Sequence, residues 1–365
     1  MILELATKCN MVLSHLSNIT ISALSVAVPT KKTSVETFYT RFGEDLVSKF
    51  SEMSGVKQIA HSIPEQTASD LGFIAAEQIF SSGKIKIEDI GILVFVSQKP
   101  DYRFPATSYV LQKRLGLNQD VICHDISLAC SGFVYGLQNT LSLLELLPHK
   151  KALLITGDTS YKTMSPQDRT MIMLFGDSGS AVVLEKDITQ VNDFIFAFRT
   201  NGYKFKSIIT PAGAFRNRDL QPLNEKWSDD IIRNDYNTHM KGMAVFEFSI
   251  TDVPKLINDF YKETKSTSDD YDSFILHQAN LYILKQISRK CKIPMEKIPV
   301  SIDRFGNNSS NSIPLVLSDH FSNKSEFLKL FISGFGAGLS WGCGTISIHT
   351  DVIFPIIESD DFFKH

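Results

Sequence analysis

The stretch Asp125–Leu147, DISLACSGFVYGLQNTLSLLELL, decides the fold of this chain. A short, partly polar segment and a single cysteine precede an apolar run that begins at Ser131. The apolar residues at helical spacing are Phe133, Val134, Leu137, Leu141, Leu144 and Leu147. Leu143 and Leu146 add apolar side chains on the other side. The pattern therefore predicts a central helix that is buried all round.

Cys130 lies at the amino end of this predicted helix. Unpaired backbone N–H groups and the positive end of the helix dipole favour a thiolate at such a position. Cys130 is therefore a candidate nucleophile. Taken alone, the stretch fits equally well a cysteine that serves as a small buried hydrophobic residue.

Composition narrows the class of protein. With 365 residues, of which 43% are hydrophobic, the chain can build a substantial core as one large domain or two ordinary ones. The formal net charge of −3 comes with no basic face or polybasic tail. Electrostatics therefore argue against nucleic acid or an anionic membrane as partner and favour small molecules or a carrier protein.

Cysteine spacing and the first residues indicate a cytoplasmic protein. Cys9, Cys123, Cys130, Cys291 and Cys343 form no CxxC pair and no disulfide framework, so we expect no metal site and reduced thiols. The opening MILELATKCNMVLSHLSN lacks the basic start and cleavage site of a signal peptide. No apolar run reaches membrane-spanning length, so we expect no integral membrane association.

Strand and helix patterns alternate along the first half. Strands are predicted from Ile19 to Pro29 and over Gly91–Ser97, Val121–Ile126 and Lys151–Asp158, and helices over Thr33–Met53, Thr67–Ser82 and Ser108–Leu115. This alternation predicts an α/β layered fold with largely parallel strands.

A sequence pattern that occurs twice suggests an internal duplication. Leu174–Glu185 and Gly334–His349 are both glycine-rich turns that lead into a strand, and each ends a block of about half the chain. Neither has the context of a dinucleotide site or a P-loop. We predict an extension over 1–18, halves over 19–190 and 191–350, and a tail over 351–365. We expect the tail to be a disordered end rather than a dimer or carrier contact. The irregular segment 199–241 either covers a pocket or is a solvated loop.

Two polar residues in the second half join Cys130 as candidates. The predicted strand Phe274–Leu276 ends at His277, and the carboxyl ends of strands face ligands in α/β sheets. Asn307 follows the turn residue Gly306. Either residue alone fits a structural role. Together, a cysteine, a histidine and an asparagine at such positions point to acyl transfer through a thioester.

Six ordered blocks resemble the β-ketoacyl-acyl-carrier-protein synthase III family of thiolase-fold condensing enzymes, from about Ile19 to His349. The blocks are DISLACSGFVYGL, SPQDRTMIMLFGDSGSAVVL, MKGMAVFEF, LHQANLYI, RFGNNSSNSIPL and GFGAGLSWG. The resemblance implies a thiolase-like five-layered αβαβα fold, a homodimer and no bound cofactor. It also implies acyl-CoA or acyl-ACP and malonyl-ACP as substrates, ACP being the acyl carrier protein.

The resemblance assigns roles to residues of this chain. Cys130 would attack an acyl thioester and hold the starter chain. His277 and Asn307 would donate hydrogen bonds to a malonyl thioester and stabilise the enolate left by decarboxylation. The backbone N–H groups of Cys130 and Ala337 would form the oxyanion hole. The substrate-binding residues implied are Arg169, Gly242, Asn280 and Gly336.

Several positions depart from the family pattern. Lys49 and Met53 stand where the family has a tryptophan and an arginine that hold the coenzyme A adenine, although Arg169 opposite is kept. Tyr282 replaces an arginine offered to the carrier protein. Ala337 replaces a glycine, which is tolerable if its φ is negative. The motif GNNSSN carries polar residues where small alanines are usual, and the separation of 147 residues between Cys130 and His277 is long for the family.

Three alternatives to decarboxylating condensation stay open. An acyltransferase could move the acyl group from Cys130 to an alcohol or amine without loss of carbon dioxide. A synthase acting on acetoacetyl-type acceptors would need a catalytic glutamate, which we cannot place. A silent partner subunit would keep the fold without activity, although such partners commonly lose the nucleophile.

Overall fold

Two mixed β-sheets form the frame of the molecule in the computed structural model, which describes residues 11–187, 193–227 and 229–364. Within those residues, the first sheet has six strands, in the spatial order Ile357–Glu358, Ile19–Val28, Ser178–Lys186, Lys151–Asp158, Ile90–Val96 and Ile122–Ile126. Over the same ranges, the second sheet has five, in the order Ser14–Leu16, Phe194–Thr200, Ser340–His349, Phe327–Gly336 and Ser273–Leu276. Short two-stranded ribbons pair Lys32–Ser34 with Gln58–Ala60, Ile208–Ile209 with His239–Met240, and Glu225–Lys226 with Ile232–Arg233.

The prediction of largely parallel strands is confirmed for the four strands from which it was made, because Ile19–Val28, Lys151–Asp158, Ile90–Val96 and Ile122–Ile126 all run in the same direction. The exception in the first sheet is a strand that the prediction did not include. Ser178–Lys186 runs antiparallel to both of its neighbours, Ile19–Val28 and Lys151–Asp158. Among the described strands of the second sheet, only Ser273–Leu276 and Phe327–Gly336 pair in parallel. The reason lies in the connections, because a parallel pair needs a long crossover, usually a helix. Residues 159–177 contain no α-helix, so the chain returns antiparallel.

Helices fill three layers around the sheets. The α-helices of the described residues are Tyr39–Phe42, Glu44–Ser54, Ala68–Ser81, Thr107–Leu115, Gly132–Leu146, Gly242–Thr264, Leu281–Cys291, Ile302–Phe305 and Ser312–Phe321. Ala68–Ser81 packs on the outer face of the first sheet, and Gly242–Thr264 packs on the outer face of the second. Gly132–Leu146 and Ser312–Phe321 lie between the sheets. The order of layers is therefore α, β, α, β, α.

The central helix Gly132–Leu146 is buried on most of its surface. Five of its apolar side chains are each at most 1% exposed to solvent: Phe133, Val134, Leu137, Leu141 and Leu144. Burial of each such side chain contributes about 1.5–3 kcal/mol to folding. The prediction of burial all round is wrong at the last turn, because Leu146 is 80% exposed. There the helix extends past the sheets that cover its earlier turns.

Segments near both limits of the described residues add strands to the sheets. Ser14–Leu16 pairs with Phe194–Phe196 at the edge of the second sheet. The prediction of a disordered tail is wrong, because Ile357 and Glu358 pair in parallel with Ala27 and Val28. Further along, the backbone N–H of Phe363 donates to Asp70 Oδ1 at 2.9 Å. The tail therefore extends the first sheet.

These observations do not test some of the predictions. Cys9 and most of the 1–18 extension lie outside the described residues, as do positions 188–192 at the proposed boundary between the halves. The internal duplication stays a prediction. In the described residues no helix has both the length and the apolar character needed to cross a lipid bilayer.

Candidate active site

A cavity of about 520 Å³ opens at the start of the central helix. Cys130, His277 and Asn307 all line it, so the structure brings the three predicted side chains to one space. The apolar part of the wall consists of Phe50, Met53, Leu174, Phe175, Ile208, Met240, Met243, Val245, Phe246, Ala279, Ile283 and Phe335. The volume of the cavity falls within the roughly 300–1,000 Å³ typical of small-molecule sites.

Cys130 is held two residues before the central helix, between the loop of Gly336 and the turn of Ser309. A Cβ at Gly336 would lie 2.6 Å from Cys130 Cβ and 3.1 Å from its Sγ, so only glycine allows this approach. On the other side, Ser309 Oγ lies 3.7 Å from Cys130 Sγ. The residue is partly exposed, and it lines the cavity.

The predicted resting thiolate is wrong. Burial raises the pKa of the Cys130 thiol to about 12, and the negative charge of Asp158 raises it further. The contact with Ser309 lowers the pKa, but desolvation by burial is the larger effect. At neutral pH Cys130 is therefore a thiol.

His277 lies directly after the strand Ser273–Leu276, as expected, and its backbone N–H donates to Ser333 O at 2.8 Å. Burial lowers the pKa of the His277 imidazole to about 3, so the ring is neutral. Its Nδ1 lies 3.1 Å from Ser312 Oγ, and the ring packs edge-on against Phe335. The Nε2 atom is the ring nitrogen left for a ligand.

Asn307 is fixed by its backbone and by one side-chain oxygen. Gly306 adopts φ 71°, and a Cβ there would lie 2.7 Å from Leu174 O, so the turn requires glycine. Asn307 N donates to Leu174 O at 2.8 Å, and Asn307 Oδ1 accepts a hydrogen bond from Ser309 N at 2.9 Å. The Nδ2 amide group has no hydrogen-bond partner among the described residues, so it is available as a donor to a ligand.

The predicted oxyanion and substrate residues divide into two groups. Gly242, Asn280 and Gly336 line the cavity. Asn280 also caps the helix Leu281–Cys291, because its Oδ1 accepts from Ile283 N at 2.7 Å. Ala337 follows Gly336 just outside the lining, and its φ is negative, as its proposed role requires.

Arg169 is not among the residues that line the cavity, although its neighbour Thr170 is. The Arg169 guanidinium instead donates to Asp229 O at 3.5 Å. Its part in substrate binding, like the role of Ala337, stays a prediction.

Sequence reasoning missed Ser309 and Ser312 as side chains of the site. Sequence reasoning gave neither of them a role, yet Ser309 touches Cys130 and Ser312 touches His277. The available signal is the run of six consecutive Asn and Ser residues at 307–312, all of which are at most 4% exposed. A buried run of polar side chains needs partners.

The polar residues that replace the family's alanines in this run point away from the triad. Ser310 Oγ donates to Asp158 Oδ2 at 2.9 Å. Asn311 Nδ2 donates to Ser178 Oγ at 2.8 Å, and Asn311 Oδ1 accepts from Thr156 Oγ1 at 3.0 Å. These side chains join the Asn307 loop to strands of the first sheet.

The segment 199–241 covers the site. Ile208 and Met240, which lie in its paired short strands, form part of the cavity wall. Its other end is anchored by Arg233, which is 3% exposed and pairs with Asp168 at 2.7 Å and with Asp229 at 2.9 Å. The sequence left open whether this segment covers a pocket or is a solvated loop. The structure supports the interpretation that it covers a pocket.

Comparison with known proteins gives the family. Residues 124–202 match the family model for 3-oxoacyl-[acyl-carrier-protein] synthase III, and residues 261–348 match the model for its C-terminal part. The β-ketoacyl-[acyl-carrier-protein] synthase III of Streptococcus agalactiae is 32% identical over 304 residues, which cover 82% of this chain and 90% of that protein. The enzyme of the same name from Lactobacillus helveticus is 32% identical over 302 residues, with 80% and 87% covered.

A solved structure agrees with this assignment. The 3-oxoacyl-(acyl-carrier protein) synthase of Burkholderia xenovorans superposes with a TM-score of 0.90 at 31% identity, covering 96% of this chain and 99% of that one. The predicted family, thiolase-like α/β fold and acyltransferase class are thereby confirmed. The chain belongs to the β-ketoacyl-[acyl-carrier-protein] synthase III family, the thiolase-like condensing acyltransferases of fatty-acid biosynthesis.

Proposed function

We propose that this chain joins an acyl group carried on Cys130 to a malonyl thioester, with loss of carbon dioxide. The acyl donor would be an acyl-CoA or acyl-ACP and the extender malonyl-ACP, in fatty-acid or specialised acyl-chain biosynthesis. One observation carries the proposal: Cys130, His277 and Asn307 line a single cavity. A thiol, a neutral imidazole and a free amide donor are the groups that thioester condensation needs.

The first step acylates Cys130. Its sulfur attacks the donor's carbonyl carbon, a new C–S bond forms, and the donor's C–S bond breaks. The neutral His277 ring on the same wall takes the Cys130 proton and returns it to the departing thiol. The carbonyl oxygen meanwhile rests on the backbone N–H groups of Cys130 and Ala337. Loss of one such donor costs about 3 kcal/mol of transition-state stabilisation.

The second step forms the carbon–carbon bond. The malonyl thioester oxygen accepts hydrogen bonds from His277 Nε2–H and Asn307 Nδ2–H. The bond to its carboxylate breaks, carbon dioxide leaves, and the electron pair remains as an enolate. The enolate carbon attacks the acyl-Cys130 carbonyl and the C–S bond breaks. The Cys130 sulfur leaves as a thiolate and takes a proton from solvent, which restores the resting thiol. The bond between Asn307 Oδ1 and Ser309 N supports this role, because it turns the amide so that Nδ2 serves as the donor.

Ser312 links the two roles of His277. Its single hydroxyl proton has two partners at 3.1 Å, His277 Nδ1 and Ser309 O. When Ser312 donates to Ser309 O, His277 Nδ1 carries the ring proton and Nε2 can accept one from Cys130. When Ser312 donates to Nδ1, Nε2 carries the proton and can donate to the malonyl oxygen. A neutral imidazole has one donor nitrogen and one acceptor nitrogen. The orientation of the Ser312 hydroxyl therefore decides which of Nδ1 and Nε2 carries the ring proton.

We further propose that the chain forms a homodimer through the outer edge of the first sheet. Ile122–Ile126 is the last strand of that sheet, and its outer side pairs with no described strand. Phe104 nearby is 88% exposed and Tyr109 is 55% exposed. An open edge beside exposed aromatic rings is typical of a pairing surface. Sedimentation equilibrium should give twice the chain mass, and a monomer at micromolar concentration would contradict this.

Product analysis tests the proposed function. The protein is incubated with a panel of acyl thioesters and malonyl-ACP labelled in its free carboxyl group. We expect β-ketoacyl-ACP and an equal amount of labelled carbon dioxide, both absent from Cys130→Ala but present in Cys123→Ala. Release of acyl esters or amides without carbon dioxide would instead establish plain acyl transfer. The absence of any product would contradict the proposal.

A further inference from the structure

Ser309 is linked to all three triad residues. Its Oγ lies 3.7 Å from Cys130 Sγ, and its backbone N–H donates to Asn307 Oδ1 at 2.9 Å. Its carbonyl oxygen lies 3.1 Å from Ser312 Oγ, the hydroxyl that also contacts His277 Nδ1. The backbone of Ser309 therefore serves Asn307 and His277, whereas its side chain faces Cys130.

The Ser309 hydroxyl has a single hydrogen-bond partner among the described residues, which is the Cys130 sulfur. Its neighbours in the chain are bonded elsewhere, because Ser310 Oγ donates to Asp158 Oδ2 and Ser312 Oγ donates to a backbone carbonyl. Ser309 is 3% exposed. A buried hydroxyl needs a partner, and in the described part of the chain the sulfur fills that need.

The backbone of Ser309 adopts a conformation that serine rarely takes. Its φ is 48°, in the left-handed region that favours glycine. Hydrogen bonds hold the turn on both sides: Asn307 Oδ1 accepts from Ser309 N, and Asp158 Oδ2 accepts from Ser310 N and Ser310 Oγ at 3.3 and 2.9 Å. Such conformations persist where the surroundings impose them, and they cluster at active sites. The turn thus holds the Ser309 side chain against the sulfur.

We propose that Ser309 is a catalytic residue that donates a hydrogen bond to the Cys130 sulfur whenever that sulfur carries negative charge. The inference rests on the proposed function and adds a residue to its mechanism. In the resting state either the thiol or the hydroxyl is able to donate. Once the thiol proton has left, the hydroxyl is the one of the two that still has a proton to donate. The contact with Ser309 lowers the pKa of the Cys130 thiol, which is the direction expected of a donor to the thiolate.

The sulfur carries negative charge twice in each proposed cycle. In acylation, the charge develops as the Cys130 proton moves to His277 and the sulfur attacks the donor's carbonyl carbon. In condensation, it returns when the C–S bond to the acyl group breaks and the electron pair stays on sulfur. Between these steps the sulfur belongs to a neutral thioester, which is a weak acceptor. The Ser309 hydroxyl keeps its proton throughout, and its bond accelerates both steps because it is stronger in their transition states.

Alkylation of Cys130 tests this hydrogen bond without any acyl donor. In Ser309→Ala the thiolate population should fall about tenfold, the loss expected for one hydrogen bond to a charged group. The greater nucleophilicity of the less acidic thiolate offsets about half of this loss on a logarithmic scale. We therefore expect the rate of iodoacetamide labelling at pH 8, followed by peptide mass spectrometry, to fall about threefold.

Ser273→Ala is the matched control for the labelling. Ser273 is a buried serine on the strand that leads to His277, and its hydroxyl donates one hydrogen bond, to Lys297 O at 2.9 Å. It does not line the active-site cavity. We expect Ser273→Ala to be labelled at the wild-type rate. Equal labelling rates in Ser309→Ala and Ser273→Ala would overturn the inference.

Single-turnover assays test the same bond in the two chemical steps. In Ser309→Ala, acylation by an acyl thioester and condensation with malonyl-ACP should each slow about tenfold, with the KM for malonyl-ACP unchanged. Ser309→Gly is the second variant, because glycine adopts a φ of 48° without strain and keeps the turn even if alanine does not. Both variants should lose the two rates equally. A loss confined to one step, or wild-type rates in Ser309→Gly, would overturn the inference.

The inference and the proposed function fail in different ways. If Ser309→Ala forms β-ketoacyl-ACP as fast as the wild type, the inference falls and the proposed function stands. If no donor acylates Cys130 in the wild type, the proposed function falls. The labelling rates then decide alone whether Ser309 stabilises the thiolate.

Discussion

Desolvation controls the protonation of both titratable side chains in the site. Burial raises the pKa of Cys130 to about 12 and lowers that of His277 to about 3, so the resting pair is thiol and neutral imidazole. An ion pair of thiolate and imidazolium would require the opposite shifts. The site thus holds uncharged groups, which suits an apolar cavity that must accept an acyl chain.

Cys130 alkylation should report this state. Only the thiolate reacts with iodoacetamide, and a pKa raised to about 12 means that its population grows about tenfold per pH unit throughout the range below that value. We expect the logarithm of the Cys130 labelling rate to rise by one per pH unit from pH 7 to 10. Peptide mass spectrometry follows the labelling. A plateau below pH 8 would show a resting thiolate and contradict the assignment.

Removal of the Ser312 hydroxyl should separate the two roles of His277. In Ser312→Ala, Nδ1 loses the donor that keeps the proton on Nε2, so the condensation rate should fall about tenfold, the worth of roughly one hydrogen bond. Single-turnover assays measure acylation and condensation separately. Ser318→Ala is the control, because Ser318 lies on the same helix and also loses one hydrogen bond, to Phe354 O. Equal condensation rates in the two variants would refute the role of Ser312.

At this scale the sequence predicted the positions of Cys130, His277 and Asn307, because a helix start, a strand end and a turn glycine are local features. The pKa of Cys130 could not be predicted, since the desolvation comes from neighbours distant in sequence, such as Gly336. Ser309 and Ser312 were missed for the same reason. Their partners are more than 30 residues away.

Among the elements, the central helix depends on close approach to its sheet. A Cβ at Gly136 would lie 2.6 Å from Val96 Cγ2, closer than packing allows. Gly136→Ala should therefore push the helix away from the strand Ile90–Val96 and destabilise the protein by about 1–3 kcal/mol. Urea unfolding measures this.

The matched control for Gly136→Ala is Gly202→Ala, because a Cβ at Gly202 meets no atom within 4 Å. We expect Gly202→Ala to leave the free energy of unfolding nearly unchanged. If the two variants were equally stable, the proposed steric limit at Gly136 would be wrong.

Most element bounds followed from the sequence, and so did the common direction of the four strands predicted in the first half, but the reversed direction of Ser178–Lys186 did not. Lys151–Asp158 was predicted with the bounds that it has, and the helix predicted over Thr67–Ser82 is Ala68–Ser81 in the structure. Apolar periodicity is a property of one element. The antiparallel placement of Ser178–Lys186 depends instead on how residues 159–177 fold back, for which no local pattern exists.

On the scale of the whole molecule, the tail contributes to the stability of the first sheet. Gln66 Nε2 donates to Ser359 O and Asp361 O at 2.9 and 3.0 Å, and Ile357 and Glu358 extend the sheet. Deletion of residues 357–365 should lower the free energy of unfolding by about 2 kcal/mol, since each net hydrogen bond contributes roughly 1 kcal/mol. A tail without these contacts would leave the urea midpoint unchanged.

The sequence misled at the tail because the last residues of a domain are commonly disordered unless distant parts of the chain hold them. Its order depends on the exposed edge of Ile19–Val28, more than 300 residues earlier. The assembly of the active site is likewise a property of the whole chain. Cys130 comes from the turn that precedes the helix between the sheets, whereas His277 and Asn307 come from the second half of the chain.

The most direct test of the central claim is the intact mass of the protein after incubation with a short acyl-CoA and separately with acyl-ACP. We predict a single acyl adduct, located on the peptide that contains Cys130 and absent from Cys130→Ala. Addition of malonyl-ACP should then remove the adduct from the wild type but only slowly from Asn307→Ala. An adduct on another cysteine, or no adduct with any donor, would contradict the account.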